Sequence, residues 1–517
     1  MKRSGFTHLL SFLGLTLLVL FNTGCVRNPV NNRFEFTLMS AQEEVRVGEE
    51  QDKAVQKLYG KVKDDKLQEY VSNIGASLVQ VAHARPFTYH FTVVDSGDIN
   101  AFALPGGYIY VTRGLLAHCN SEAELAGVLG HEIGHVTARH HSRQQVRAMG
   151  LQIGSLLSTV FLGEAGIYLQ RYIDLLFSGI YQSFGRQGEL EADQVGQAYA
   201  YAAGWDPRET TAFLQTLDRL ETGRNRTVFH GFFASHPETY ERIDESQKRG
   251  TTMVTDQSRV KQGRKDFLRM LEGLPFGNRP EHGELDENLY RNGVHGISVQ
   301  FPRNWETLSS AGGVVSRKPD ASYFIQLITA KPKNDDYLAN VISREDHFIK
   351  LREMAGKFEE ESHWSRNSEE RRIINEIPTF VSTYNLQSGL GRFYTAKAHF
   401  FIARKNLFVL LAFTPAGQES LATFYFDKVF ESVRLLTEQE MEPLKPRKLV
   451  IYEVRDSDTF ESIAEKFFGT TDKARSIAAL NGLHAHLNPT VGDLLKIVVR
   501  KSAEETGADG KEAEKSL

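Results

Sequence analysis

The sequence has 517 residues, of which 41% are hydrophobic and 24% are charged, so it is long enough to bury the cores of several domains. Its 61 basic and 65 acidic residues leave a formal net charge of −4, which argues against a nucleic-acid-binding surface. The chain contains only two cysteines, Cys25 and Cys119, so its stability must come mainly from hydrophobic cores.

The amino terminus has the pattern of an export signal. Lys2 and Arg3 precede an apolar run at residues 9–21, which is too short to span a membrane but typical of a signal peptide. The run ends at Thr23-Gly24-Cys25, which resembles a bacterial lipobox, although Asn22 stands where leucine is usual. We therefore predict that residues 1–24 are removed as a signal peptide and that Cys25 is lipidated.

Lipidation of Cys25 would place the protein in the bacterial periplasm, anchored to a membrane by its lipid. Val26 is not the aspartate that retains lipoproteins in the inner membrane of enteric-type bacteria, which favours the outer membrane. A lipidated Cys25 would also leave Cys119 without a disulfide partner.

Two strands are predicted at residues 88–95 and 108–113, where β-branched and aromatic residues alternate with other residues. Pro105-Gly106-Gly107 predicts a turn just before the second strand. An exposed edge here can bind a peptide through main-chain hydrogen bonds. An ordinary hairpin packed on a neighbouring helix explains the same pattern equally well.

The next element is a helix that carries a zinc-binding pattern. Ser121 and Glu124 predict a capping box at its start. Apolar side chains follow at helical spacing: Leu125, Val128, Leu129 and Ile133. His131 and His135 lie ~40° apart on one helix face, and Glu132 between them can act as a base, which is the signature of a zinc hydrolase.

A catalytic zinc needs a third protein ligand, for which the sequence offers two candidates. His141 has the spacing of a third histidine, but Ala138 does not break the helix, so the helix should continue and turn His141 away. Glu189 and Asp193 share one face of a later helix, whereas Glu191 points away from it. We predict that Glu189 is the ligand and that Asp193 accepts a hydrogen bond from a zinc histidine.

Three motifs occur in the order of a known family: Asn100-Ala101-Phe102-Ala103-Leu104-Pro105-Gly106-Gly107, Gly130-His131-Glu132-Ile133-Gly134-His135 and Glu189-Leu190-Glu191-Ala192-Asp193. Together they resemble the zinc metallopeptidase family that includes the HtpX heat-shock protease and the CAAX prenyl proteases. The resemblance covers roughly residues 30–250 and is greatest to the periplasmic, BepA-like branch.

The resemblance implies a mainly helical gluzincin domain that hydrolyses peptide bonds with one zinc ion per chain. It implies zinc on His131, His135 and Glu189, with Glu132 as the general base. It also favours substrate binding over a plain hairpin for the segment that contains Asn100, Ala101, Phe102 and Ala103.

A further histidine, His236, precedes Pro237, which fixes the loop before a new helix. The resembled family carries a similar His-Pro with a downstream arginine, here Arg242. His236 can stabilise the oxyanion, act as a fourth zinc ligand that keeps the enzyme latent, or be a simple surface residue. We interpret Arg242 as the donor of a structural ion pair.

The uncharged residues 148–163 are too few to cross a membrane. We predict helices there that cover the zinc cleft, with an exposed apolar lid as the alternative. A charged stretch at about 250–288 then separates the protease from the rest.

Residues 289–437 predict an α+β layer domain without a catalytic constellation, and we expect an interaction module. Predicted strands are 297–301, 323–330, 379–384, 396–403 and 407–414, and predicted helices are 336–354 and 419–433. Phe301-Pro302 and Trp305 faintly resemble the start of a PsbP/Mog1-like sandwich.

The last folded segment has a predicted β-α-α-β order: strand 449–454, helices 459–468 and 471–480, and strand 494–499. It resembles a LysM domain, which implies binding to peptidoglycan through Asp458, Thr459, Asn481 and Gly482. Ser457 replaces the usual glycine and Phe460 the frequent leucine or tryptophan, so a spacer without glycan affinity is the alternative. We expect removal of this segment to leave catalysis intact.

The sequence therefore predicts an α+β multidomain protein: a zinc metallopeptidase domain at 25–275, an α+β domain at 285–440, a LysM-like domain at 447–500 and a disordered tail at 501–517. The leading function is a zinc endopeptidase that degrades misfolded or misassembled envelope proteins. One alternative is cleavage of the peptide stems of peptidoglycan. Another is an assembly chaperone that holds client proteins without catalysis.

Overall fold

The computed structural model of the chain describes residues 24–37, 39–141, 184–222, 236, 240–310, 313–319, 323–330, 341–387, 393–404 and 406–500. No helix in these ranges is long and apolar enough to cross a membrane. The predicted signal peptide up to residue 23, the apolar segment 148–163 and the tail 501–517 lie outside the described residues.

The helices of the described residues are α1 (Ala41–Tyr59), α2 (Asp65–Val81), α3 (Arg113–His118), α4 (Glu122–Thr137), α5 (Arg186–Ala202), α6 (Arg208–Thr222), α7 (Tyr240–Met253), α8 (Arg264–Met270), α9 (Arg344–Ser362), α10 (Glu419–Glu431), α11 (Glu438–Met441), α12 (Phe460–Phe468) and α13 (Ala474–Leu480). The strands are β1 (Gly24–Arg27), β2 (Phe34–Thr37), β3 (His90–Val94), β4 (Ala101–Leu104), β5 (Tyr108–Thr112), β6 (Pro275–Phe276), β7 (Glu284–Asp286), β8 (Leu289–Asn292), β9 (Ile297–Gln300), β10 (Glu306–Ser310), β11 (Gly313–Arg317), β12 (Phe324–Ala330), β13 (Arg366–Ile374), β14 (Ile377–Gln387), β15 (Phe393–Ala403), β16 (Asn406–Pro415), β17 (Arg434–Leu435), β18 (Arg447–Glu453) and β19 (Leu494–Arg500).

The described residues divide into two compact units, and the first contains those within residues 24–141, 184–276 and 448–499. A three-stranded sheet of order β3-β5-β4 packs there with α2, α4 and α6 around one hydrophobic core. Strand β5 lies in the centre, parallel to β3 and antiparallel to β4. A 3₁₀ turn at Pro105–Gly107 joins β4 to β5, where the sequence predicted a turn.

Helix α4 begins where the capping residues predicted. The Ser121 hydroxyl oxygen accepts the backbone N–H of Glu124 at 3.1 Å, and the Glu124 carboxylate accepts the backbone N–H of Asn120 at 2.7 Å. Every residue of the helix from Ala123 to Thr137 is buried, so α4 lies inside the unit. A helix surrounded in this way holds its side chains rigidly, which suits a metal site.

The C-terminal segment has the predicted strand-helix-helix-strand order, as β18, α12, α13 and β19, and it belongs to the first unit. Its sheet has the order β19-β18-β6, so β18 lies next to a strand from residues 275–276. Leu449, Leu480 and Leu494 lie in the same hydrophobic core as α4. The buried Lys496 ammonium also donates to the carbonyls of Ala117 and Cys119, at 2.9 and 2.6 Å. The segment therefore shares its core with the helices around α4.

The second unit contains a seven-stranded antiparallel sheet of order β10-β11-β12-β16-β15-β14-β13 and a four-stranded sheet of order β17-β9-β8-β7. Alternate residues of β16 face opposite sides of the large sheet, as expected for a strand. Phe408, Leu410 and Ala412 share a core with α10, whereas Leu407, Val409, Leu411 and Phe413 share one with α9. This double burial explains the long apolar run that predicted the strand.

The predicted helix at 336–354 differs from the observed α9, which begins at Arg344 and ends at Ser362. Ser343 caps the helix, because its hydroxyl oxygen accepts the backbone N–H of Asp346 and the Asp346 carboxylate accepts the backbone N–H of Ser343. Residues 336–340 of the predicted helix lie outside the described residues, and residues 341–343 precede the helix because this capping box sets its start.

Candidate metal centre

The candidate ligands come together because α4 and α5 cross with their backbones in contact. Gly130 and Gly196 lie at the crossing, where a Cβ on Gly130 would come within 2.7 Å of the Gly196 carbonyl oxygen. A Cβ on Gly196 would come within 2.6 Å of the His131 backbone nitrogen. Glycine at both positions therefore lets α5 place Glu189 and Asp193 against the histidines of α4.

Four side chains converge in this buried space: His131, His135, Glu189 and His236. The Nε2 atoms of His131 and His135 lie 2.9 Å apart. The two carboxylate oxygens of Glu189 lie 3.4 Å from His131 Nε2 and 3.7 Å from His135 Nε2. His236 Nδ1 lies 3.0 Å from Glu189 and 3.1 Å from His131 Nε2. One potential ligand atom from each residue lies within 4.8 Å of the others.

This set of groups fits a zinc ion. Glu132 and Glu189 are almost fully buried, yet among the described residues both carboxylate oxygens of Glu132 and Oε1 of Glu189 lack a hydrogen bond of normal geometry. Buried carboxylate oxygens without partners are costly unless a cation or its water satisfies them. Two imidazole nitrogens and one carboxylate are the ligands that catalytic zinc prefers.

Asp193 lies where the sequence predicted it, beside the zinc histidine His131. Its carboxylate accepts from His131 Nδ1 at 2.8 Å and from the Arg242 guanidinium at 2.7 and 2.8 Å. Burial raises the pKa of Asp193, but Arg242 and His131 outweigh this effect and hold the pKa below its ordinary value. Arg242 therefore forms the ion pair that the sequence predicted, and it also donates to the His236 carbonyl at 3.2 Å.

His135 has a second histidine behind it that sequence reasoning missed. His140 Nδ1 lies 2.7 Å from His135 Nδ1, and His140 Nε2 lies 3.0 Å from a Glu191 carboxylate oxygen. Burial, followed by the nearby charge of His131, lowers the pKa of His135, which favours the neutral imidazole that a metal needs. The only sequence signal was the adjacent His140-His141 pair, of which only His141 was considered as a ligand.

The prediction that α4 continues past Ala138 is wrong. The helix ends at Thr137, and Arg139 adopts a left-handed conformation with a φ of 58°. The chain therefore turns back at this point, which brings His140 behind His135. His141 lies outside the four-residue cluster and packs its ring edge against Phe184, at a centroid distance of 4.8 Å.

The predicted substrate-binding segment lies beside Glu132. Ala101–Leu104 forms β4, a strand at one edge of the sheet, and all four residues are buried. Burial raises the pKa of Glu132, and the nearby His236, His131 and the Ala103 backbone N–H oppose this rise. Asn100, just before β4, donates its backbone N–H to the Thr112 hydroxyl at 3.0 Å.

The predicted lipidation and glycan-binding residues lie outside this cluster. Cys25 lies in β1, opposite Phe36 of β2. Thr459 caps α12, and the Asp458 carboxylate accepts from the Tyr452 hydroxyl at 2.8 Å. Asn481 is buried and donates to the carbonyls of Ile477 and Lys496. A Cβ on Gly482 would lie 3.3 Å from Asn120 Nδ2, so this loop faces residues next to α4.

Comparison with known proteins adds three similarities. The model of peptidase family M48 matches residues 65–249. Over 319 residues the chain is 30% identical to the beta-barrel assembly-enhancing protease of Escherichia coli (strain K12), with 58% of this chain and 62% of that protein covered. Over 223 residues it is 29% identical to the mitochondrial metalloendopeptidase OMA1 of Schizosaccharomyces pombe, with 42% and 63% covered.

The chain spans less than two thirds of the length of either relative. Among solved structures, the cyanobacterial PsbP of Synechocystis is 17% identical, with 28% of this chain and 91% of that chain covered at a TM-score of 0.23. A TM-score this low carries no assignment for any part of the chain. The match at residues 65–249, which contains His131, His135, Glu189 and Asp193, shows that this part of the chain is similar to peptidase family M48.

Proposed function

We propose that this protein is a zinc-dependent endopeptidase in which His131, His135 and Glu189 hold the metal and Glu132 is the general base. The observation that supports this most strongly is the convergence of these groups in one buried space, with carboxylate oxygens that lack hydrogen bonds. A buried carboxylate oxygen without a hydrogen bond is costly, and a bound cation would remove that cost.

The roles of the residues follow from their positions. Zinc, when bound, lowers the pKa of its water to about 7 and polarises the substrate carbonyl. The Glu132 carboxylate takes a proton from the attacking water and returns it to the leaving amide nitrogen. Its burial raises its pKa above the ordinary value of a glutamate, which makes the carboxylate a stronger base. Asp193, held by Arg242, fixes the ring of His131 so that Nε2 faces the metal.

The substrates we propose are misfolded or misassembled proteins of the bacterial envelope. The relative from Escherichia coli is named as a protease that enhances beta-barrel assembly, which is consistent with this substrate class. Strand β4 lies at a sheet edge beside Glu132, where an extended peptide can add through main-chain hydrogen bonds. Binding through main-chain hydrogen bonds depends little on the side chains of the substrate. It therefore suits a protease that cleaves many different unfolded proteins.

His236 is proposed as a fourth ligand that keeps the site latent. Its Nδ1 lies within 3.1 Å of both Glu189 and His131 Nε2, among the ligands themselves. Its Nε2 lies 3.4 Å from a Glu132 carboxylate oxygen, so the ring occupies space beside the general base. Withdrawal of the His236 ring would open the position that the catalytic water needs. A ring N–H of His236 could then donate to the oxyanion.

We further propose export, lipidation of Cys25 and attachment to the outer membrane, on the signal-peptide and lipobox patterns described above. Peptidoglycan binding by residues 449–499 is a weaker proposal, because Asn481 is buried and bonded within the protein. A pull-down with purified sacculi tests it directly. Loss of binding in Thr459→Ala would support a glycan site, and failure of the wild type to bind would exclude one.

The decisive experiment is Glu132→Gln, measured by zinc content and by hydrolysis of an unfolded protein. We expect full zinc occupancy and at least ~10²-fold slower proteolysis, the usual value of a positioned base. Unchanged turnover would refute the assignment. Envelope function that survives the substitution would favour a chaperone, and release of soluble stem peptides from sacculi would favour peptidoglycan as the substrate.

A further inference from the structure

We propose that Asn31, Glu191 and His140 are positioning residues that orient the zinc ligand His135, so that the N-terminal hairpin of β1 and β2 sets the metal affinity of the site. This inference rests on the proposed zinc site. It adds to that site a set of contacts that begins only six residues after Cys25.

When both rings are neutral, their hydrogen bonds define the tautomer of each. The Glu191 carboxylate can only accept, so His140 Nε2, 3.0 Å away, carries the proton. His140 Nδ1 then carries a lone pair and accepts from His135 Nδ1–H at 2.7 Å. His135 Nε2 is consequently unprotonated and faces Glu189 and His131. The relay therefore selects the form of His135 that can bind a metal.

Asn31 completes this relay from the hairpin. Its amide Nδ2 donates to the other Glu191 carboxylate oxygen at 3.1 Å. Its amide oxygen accepts the backbone N–H of Arg33 at 3.0 Å, which fixes which end of the amide faces Glu191. Glu191 is thus held between a hairpin residue on one side and His140 on the other.

The same hairpin holds the turn that brings His140 into place. The buried Asn28 donates its amide to the Ala138 carbonyl at 3.0 Å, at the end of α4. The Arg139 guanidinium donates to the Thr37 hydroxyl at 3.2 Å and pairs with Glu44 at 2.9 Å. Arg139 is the residue whose left-handed conformation follows the end of α4. Displacement of the hairpin would therefore release both Glu191 and the turn before His140.

The two zinc histidines are supported from different parts of the chain. His131 bonds to Asp193, which Arg242 holds, and both lie within the residues matched by the family model. His135 bonds through His140 and Glu191 to Asn31, which lies before the first matched residue. The second support can therefore respond directly to displacement of the hairpin that contains Asn31.

A double-substitution cycle tests the relay. Asn31→Asp keeps the oxygen that accepts from Arg33 but replaces the donor to Glu191 with a repelling carboxylate oxygen. In Glu191→Gln, the side-chain oxygen can still accept from His140. The new NH2 group then faces the NH2 group of Asn31, so that two donors oppose each other. In the double variant the new amide at position 191 would donate to the new carboxylate at position 31 and accept from His140, which restores an unbroken relay.

The measurement is zinc affinity by competition with a chromogenic chelator, together with the unfolding midpoint of each metal-free protein. We expect each single variant to bind zinc at least about 10-fold more weakly than wild type. The double variant should recover to within about threefold of wild type. The unfolding midpoints of the four metal-free proteins should be the same. The control Arg33→Ala, an exposed hairpin residue, should leave zinc affinity unchanged.

Unchanged affinity in both single variants, or losses that simply add in the double variant, would overturn the relay while leaving the proposed function intact. A wild-type protein that holds no zinc would overturn the proposed function, and the relay with it. Recovery in the double variant, with the same unfolding midpoint in all four proteins, would support the relay, because zinc affinity would then follow the contact and not the stability of the fold.

Discussion

Leu449→Ala offers a direct test of whether the C-terminal segment stabilises the residues around the metal centre. Leu449 has no exposed surface and packs in the core that contains α4. Its backbone N–H donates to the Leu274 carbonyl at 2.9 Å, and its carbonyl accepts from Gly273 at 3.0 Å. Because these bonds fix the backbone, the core cannot collapse into the space that the leucine leaves. We expect a loss of about 3 kcal/mol, inside the range for buried leucines.

Cys119 provides the assay, because it is fully buried, lies just before α4, and in a Cys25→Ser background is the chain's sole thiol. Burial raises the pKa of its thiol well above the ordinary value, so it should react only when the unit opens. A loss of about 3 kcal/mol raises the open population, and hence the labelling rate of Cys119, about 10²-fold.

The matched control is Leu487→Ala in the same segment, because that side chain is 57% exposed and its loss should cost less than about 0.5 kcal/mol. Labelling of Cys119 that stays at the wild-type rate in Leu449→Ala would refute the reasoning. It would show that residues 448–499 open independently of the residues around α4. That outcome agrees with the sequence-based expectation that removal of this segment leaves catalysis intact.

The remaining predictions concern the metal centre. Glu189→Ala should lose most of its zinc by elemental analysis, whereas His141→Ala should keep it, since His141 lies outside the ligand cluster; the reverse pattern would refute the ligand assignment. His236→Ala should raise the basal rate of proteolysis of an unfolded substrate if the ring blocks the site, whereas a large loss with zinc retained would make it an oxyanion donor. Arg242→Gln should weaken zinc binding about 10-fold or more through the loosened Asp193, measured by chelator competition, and normal affinity would contradict that role.

Much of the site could be predicted because its residues follow the period of a helix. His131 and His135 on one helix, and Glu189 and Asp193 on another, are each four residues apart, so each pair shares a face whatever the rest of the fold. The bond from His131 to Asp193 then needs only that the two helices cross. The closeness of that crossing depends on Gly130 and Gly196, and the helical period alone does not reveal that these two glycines meet.

The missed features depend on contacts between distant parts of the chain. The position of His140 follows from the end of α4, which a hairpin residue, Asn28, bonds across 110 positions in sequence. Strand β13 was missed because its residues are polar and mostly exposed, without apolar alternation, and it is a strand only through its pairing with β14. Neither signal is present in a local window of sequence.

The two ends of α4 show why the unit that holds the metal centre extends beyond the residues with family similarity. Before the helix begins, Lys496 donates to the carbonyls of Ala117 and Cys119, and Arg264 donates to the carbonyl of Asn120 at 3.1 Å. After the helix ends, Asn28 donates to the carbonyl of Ala138 at 3.0 Å. All three donors lie outside residues 65–249. The matched residues thus supply the candidate zinc ligands and the proposed general base, while segments on both sides of them hold the helix that carries His131 and His135. Because a catalytic metal site tolerates displacements of only about 0.5 Å, these flanking segments belong to the site as much as the ligands do.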